Sequence, residues 1–232
     1  MGLRAQAAPS GAARSAESKS CVRGVLFDLD GTLVDTYDLI LTTFHHAVRT
    51  VLGRDYPDDV LMRKVGQPLA TQMWDFANDE AVHDELCRVY REYNAVVHDD
   101  LIRRFPGTRD ALLRFADAGL PIGVVTSKRH APALAALASC GIDDVLPVVV
   151  GSDDWPEHKP APGSVLHGCD LLGVAPASCA YVGDSPFDIQ AGNAAGCLTV
   201  AATWGMFPVD DLVRELPSAQ CGSLAAVADL LL

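Results

Sequence analysis

The chain has 232 residues, 49% apolar and 21% charged, enough to build a sizeable core in one large domain or a domain with an insertion. Its formal net charge of −12 excludes a broad nucleic-acid surface, which needs a basic patch, and no apolar run reaches the roughly 18 residues of a membrane span. An anionic small molecule stays compatible with that charge if a metal and a few lysines reverse the field at one site.

The first 20 residues, rich in Ala and Ser with Arg4, Arg14 and Lys19, lack the apolar centre of a secretory signal and read as a disordered extension. Gln6 stands where a myristoylation motif needs Ser or Thr. Next comes RGVLFDL (23–29), a short apolar run ending in acids and a glycine, the pattern of a central buried strand. From Thr36 to Arg104 no strand-like run follows. The stretches 38–53, 57–66, 69–77 and 79–104 all read as amphipathic helices. About 70 residues is too long for a compact crossover, so 36–104 is expected to be an inserted helical cap, hinged near 34–36 and again at 105–107, where Pro106-Gly107 breaks the chain.

Strand-like runs then recur at 121–127, 145–151, 179–184 and 197–203. Helical patterns lie between or beside them at 108–119, 129–141, 161–173 and 185–196, three of them ending in Gly119, Gly141 and Gly196. This alternation predicts an α/β fold, a Rossmann-like parallel sheet built from 21–35 and 105–232 with the all-helical cap inserted. Seven cysteines (Cys21, Cys87, Cys140, Cys169, Cys179, Cys197, Cys221) show no CxxC or CxxH spacing and read as apolar fillers in a reduced, cytoplasmic setting.

The polar residues of interest fall at the carboxyl ends of the expected strands, where open α/β sheets bind ligands. They are Asp28 and Asp30, Thr126 and Ser127, Lys159, and Asp184 and Asp188. Taken singly, an aspartate at a strand end is a helix cap or turn residue, and Asp184 before Ser185-Pro186 has that form. Together they demand more. Two carboxylates about 4 Å apart repel by about 4 kcal/mol at an effective dielectric near 20, so four in one place need a cation. Oxygen-only ligands select a hard ion, and Mg²⁺ is the expected one beside phosphate.

DLDGTLVDT (28–36), VVTSK (124–128), HKPAP (158–162) and VGDSPFDIQAG (182–192) resemble the four signatures of haloacid-dehalogenase-superfamily phosphatases, over about residues 22–232. The resemblance implies that Asp28 is the nucleophile on phosphorus and Asp30 the acid/base. It also implies that Asp28, the backbone carbonyl of Asp30, and Asp184 hold Mg²⁺, with Asp188 orienting metal water or Lys159. Thr126, the Ser127 backbone N–H and Lys159 would grip the phosphoryl oxygens. In related phosphatases a cap loop reaches the substrate, which makes Arg63, Lys64 and Gln67 candidates for leaving-group contacts; Lys128 and Arg129 follow the second strand. Dehalogenases lack an acid at the Asp30 position, and β-phosphoglucomutases carry a histidine where this chain has Ile40. The leading expectation is hydrolysis of a small phosphomonoester such as phosphoglycolate. Inorganic pyrophosphate is the alternative, with mutase-like transfer and a non-catalytic binding protein behind. Neither nucleic acid nor a membrane is expected as a partner, and the oligomeric state stays open.

Overall fold

The computed structural model describes residues 22–232; the expected extension at 1–20 lies outside them, as does Cys21. Strand β1 (Gly24–Phe27) is wholly buried. It feeds β2 (Val34–Asp35), then the helices α1 (Tyr37–Leu52), α2 (Asp58–Met62), α3 (Leu69–Met73) and α4 (Glu80–Leu101), and returns through β3 (Arg103–Arg104). The remainder alternates: α5 (Thr108–Asp117), β4 (Ile122–Val125), α6 (His130–Ser139), β5 (Val148–Val150), α7 (Gly163–Leu172), β6 (Cys179–Gly183), α8 (Pro186–Ala195), β7 (Leu198–Ala202), α9 (Val209–Arg214), β8 (Ala219–Cys221) and α10 (Leu224–Leu231).

Six strands form one sheet in the order β5-β4-β1-β6-β7-β8, every pairing parallel. β1 sits at its centre, with Val25 opposite Ile122 on one side and Ala180 on the other. The near-continuous apolar runs follow from burial on both faces. Val25, Phe27, Val124 and Val182 point to the face covered by Leu112 and Phe115 of α5, Leu137 of α6 and Val227 of α10. Leu26, Val125 and Tyr181 point the other way, against Val165 and Cys169 of α7 and Ala191 of α8. Three of the cysteines, far apart in sequence, gather on this second face: the Cys169 and Cys197 sulfurs are 3.8 Å apart and Cys179 lies beside them.

The helices of 37–101 pack around an apolar cluster of their own, including Phe44, Val48, Leu61, Met73 and Leu86. Two expectations need correction here. The helix read over 79–104 stops at Leu101, because Ile102 is extended (φ −87°, ψ 139°) and Arg103–Arg104 pairs antiparallel with Val34–Asp35. Two-residue strands are too short to show alternation. The strand expected at 145–151 is shortened to Val148–Val150, since 143–145 forms a 3₁₀ turn. The edge strand β8 and helices α9 and α10 had no counterpart in the expected elements. Among the described residues, no helix is long and apolar enough to cross a membrane.

Candidate active site

Strands β1, β4 and β6 end side by side and deliver Asp28, Thr126 and Asp184 to one rim of the sheet. All three are buried, as are Lys159 (3% exposed) and Asp188 (0%). The sequence-predicted acids and lysine therefore do converge. Lys159 Nζ lies between two of them, 2.9 Å from Asp28 Oδ1 and 2.6 Å from Asp188 Oδ1. Asp188 is held in turn by the start of α8. Ser185 caps that helix, and its N–H and Oγ–H both reach Asp188 Oδ2, at 3.0 and 2.6 Å, while Ser185 Oγ accepts from the Asp188 N–H, so each residue caps the other. The Tyr181 hydroxyl lies 3.0 Å from Asp188 Oδ1. Both Asp188 oxygens are thus engaged, and one of them holds the Lys159 ammonium.

Asp184 is fixed differently. Thr32 Oγ–H donates to its Oδ1 at 3.0 Å and the Met206 N–H to its Oδ2 at 2.8 Å. Two glycines make the room for it. A Cβ on Gly31, which sits at φ +84°, would fall 2.2 Å from Asp184 Oδ2, and one on Gly205 would fall 2.2 Å from Asp184 Cβ. No side chain other than hydrogen fits either place. Trp204, one residue earlier, donates its indole N–H to the Thr32 carbonyl at 3.0 Å and so braces the same turn.

The electrostatics show strain that a cation relieves. Burial, then the neighbouring Asp188, push the Asp28 carboxyl up to about 7, against the opposing pull of Lys159. Burial, Asp188 and Asp28 push Asp184 well above the usual carboxylate range. Burial works against the Lys159 ammonium, but Asp188 and Asp28 outweigh it and hold the group above its ordinary value. Carboxylate oxygens of Asp28, Asp184 and Asp188 lie within 4.8 Å of one another, an all-oxygen surrounding that fits a hard divalent ion better than a soft one.

Asp30 sits apart from this trio at the mouth of the site. Its Oδ1 accepts from Thr36 Oγ at 2.9 Å and from Lys128 Nζ at 2.8 Å. Both contacts fall on the one oxygen. Ser127 Oγ–H donates to the Gly66 carbonyl at 2.5 Å, and Gly66 (φ +101°) nestles against Ser185 and Phe187, so the loop between α2 and α3 touches the rim of the sheet. Of the three loop residues expected to meet a leaving group, Gln67 lines the cavity above Asp28. Arg63 is exposed and outside that lining, and Lys64 turns outward to Asp75 Oδ1 at 2.5 Å. These residues lie in the turn between α2, which ends at Met62, and α3, which starts at Leu69, so no helical face directs all three side chains inward.

The cavity measures about 960 Å³ and runs from Asp28, Asp30, Thr126 and Ser127 out between α4 and α6. Sequence reasoning missed its far wall, and it also missed Thr32, Tyr181, Ser185 and Met206 as supports of the acids. A capping signature, Ser185 followed three residues later by Asp188, was the one available signal.

Residues 25–202 match the family profile of haloacid dehalogenase-like hydrolases. The chain is 31% identical to the pyrophosphatase PpaX of Bacillus pumilus, over 92% of this chain and 97% of that one. It is 32% identical to the pyrophosphatase PpaX of Listeria innocua, over 89% and 94% respectively. Among solved structures, a protein of Haemophilus somnus 129PT described as a predicted phosphoglycolate phosphatase superposes with a TM-score of 0.85 at 24% identity, covering 93% of this chain and all of the other.

Proposed function

The chain belongs to the haloacid dehalogenase-like hydrolases, and on that premise we propose that it is a Mg²⁺-dependent phosphohydrolase that cleaves a small phosphomonoester through an aspartyl-phosphate on Asp28. The observation that carries this reading is the placement of Asp28: a buried carboxylate at the end of the central strand, with the Lys159 ammonium 2.9 Å away and Asp184 beside it. An anionic nucleophile can approach an anionic phosphate only where positive charge neutralises both.

In this scheme an Asp28 oxygen bonds to phosphorus as the bond to the leaving-group oxygen breaks. Asp30 gives that oxygen its proton, then takes one from the water that hydrolyses the acyl phosphate. Lys128 and Thr36 hold Asp30 by one oxygen, which leaves the other for the proton. Lys159, the Thr126 hydroxyl and the Ser127 N–H take the phosphoryl oxygens, in a buried site where little water competes with them. Asp28, the Asp30 carbonyl and Asp184 would hold Mg²⁺, which supplies charge neutralisation to the phosphoryl group when bound. Residues 36–104 act as a cap over the site, with Gln67 and Lys128 facing the substrate; Arg63 is left out, since it lies off the cavity.

Inorganic pyrophosphate is the second reading for the substrate, favoured by the names of the Bacillus pumilus and Listeria innocua relatives. Phosphate release from phosphoglycolate, pyrophosphate, sugar phosphates and p-nitrophenyl phosphate, with Mg²⁺ and with chelator, tests the proposal. Wild type should turn over with Mg²⁺ alone, and Asp28→Asn should not. Turnover that survives Asp28→Asn would remove the aspartyl-phosphate, and strong selectivity for pyrophosphate would reverse the order of the two substrates.

A further inference from the structure

A cavity of about 960 Å³ is far more than a phosphoryl group fills, and matches the size that encloses a whole organic ligand. Its extension away from Asp28 has two unlike walls. On α6, Ala131, Ala135 and Ala138 present one smooth apolar face; on α4, Arg91, Asn94 and His98 share the face opposite, at positions i, i+3 and i+7. Three Lys or Arg side chains line the cavity. Lys128 is paired with Asp30 at 2.8 Å and Arg129 with Asp153 at 3.0 Å, whereas Arg91 has no carboxylate within ion-pair distance among the described residues. Arg91 is exposed at the open edge of the cavity, where an anion entering the cleft can reach it. Two turns further along α4, His98 Nδ1 is tied to Asp99 Oδ1 at 2.8 Å while its Nε2 is buried without a partner. Asp99 is itself fixed by the Ser139 hydroxyl of α6 at 2.9 Å, which holds the two walls together at this end.

We infer that the α4–α6 cleft receives the leaving group and that Arg91 pairs with a second anionic group on it. The substrate class is then an organic phosphomonoester whose carbon skeleton lies along the alanine wall and ends in a carboxylate or a second phosphate. Asn94 and His98 offer hydrogen bonds to oxygens on that skeleton. The inference rests on the phosphohydrolase reading and narrows it: in pyrophosphate the second anion is bonded directly to the transferred group and leaves this cleft empty.

Binding to the Asp28→Asn protein in Mg²⁺, measured by calorimetry, separates the subsite from turnover. The matched probes are 6-phosphogluconate, which carries a terminal carboxylate, and glucose 6-phosphate, which lacks one. The carboxylate should tighten binding about tenfold, the scale of one charge-assisted contact. Arg91→Ala in the same background should abolish the difference, Arg91→Lys should keep part of it, and Arg88→Ala, an exposed arginine on the same helix paired with Glu85 and Glu92, should keep all of it. Equal affinities for the two probes, or a difference that survives Arg91→Ala, overturns the subsite even if the wild type hydrolyses phosphates. Absence of turnover by the wild type on every substrate overturns the phosphohydrolase reading, while the binding difference still reports on Arg91.

Discussion

Replacing Lys159 by Met removes the ammonium that separates two buried carboxylates and keeps most of the side-chain volume. The two contacts, 2.9 Å to Asp28 and 2.6 Å to Asp188, are each worth about 6 kcal/mol of gross attraction at an effective dielectric near 20. Desolvation of a lysine with 2% of its side chain exposed offsets much of that. Breaking a buried pair by removing one partner nonetheless costs about 3–5 kcal/mol, because the charges left behind have no water. For a domain of this size each kcal/mol lowers the melting temperature by about 2–4 °C, so Lys159→Met in chelator should melt roughly 6–20 °C below wild type. The double variant Lys159→Met/Asp188→Asn removes one of the stranded carboxylates. It should recover about 1–3 kcal/mol relative to the sum of the single changes. Thermal melts of the four proteins, with and without Mg²⁺, complete the cycle. A loss below about 2 °C in chelator, or strict additivity, would refute the view that Lys159 holds mutually repelling carboxylates together.

Other outcomes follow from the same geometry. Because the Asp28 carboxyl is pushed up to about 7, its contribution to the stability of the metal-free protein is complete below about pH 4 and lost as pH rises through about 7. The melting temperature in chelator should therefore fall between about pH 4 and pH 7 and level off above, and more steeply than in Asp28→Asn; parallel slopes would count against the assignment. Gly66→Ala forces an L side chain into φ +101° with its Cβ 2.8 Å from Ser185 Oγ. It should cost about 1–3 kcal/mol and raise KM more than it lowers kcat, which melts and steady-state kinetics can check. Gly205→Ala crowds Asp184 directly and should weaken Mg²⁺ binding, seen as a loss of the metal-dependent rise in melting temperature.

The sheet was legible from the sequence because its central strands are buried on both faces, which leaves runs such as VLF and PIGVV with no polar interruption. β8 was not: its three residues lie at the edge and are half-buried, exposed and buried in turn, a pattern any loop can show. The acids and Lys159 were legible because they fall in four motifs, each at the end of a separate strand or in the segment after it, and four such coincidences in order are hard to produce by packing alone. Their supports were hidden for the converse reason. Gly31 and Gly205 look like turn glycines, and only the packed structure shows that their missing side chains make the space for Asp184. Arg91, Asn94 and His98 lie in a stretch read only as an amphipathic helix. Helical period gives their common face, but not whether that face meets solvent or a cavity. Arg63 and Lys64 were misplaced for a different reason: they lie in a turn, where no period tells which side chains point inward, and only Gln67 lines the cavity.

The ribbon of β2 and β3 has a consequence for how this lineage can change. Residues Asp35 and Arg103 are cross-strand partners, so the chain leaves the sheet and comes back through two points about 5 Å apart. The 67 intervening positions are, for the sheet, equivalent to one hairpin loop. Closing such a loop depends on its length only logarithmically, at about 0.6 kcal/mol per doubling. Segments of different length and composition can thus be exchanged at this junction with little effect on the rest of the fold. A chimera joined at 35 and 103 should keep the chemistry of the strand ends and take its choice of substrate from the donor.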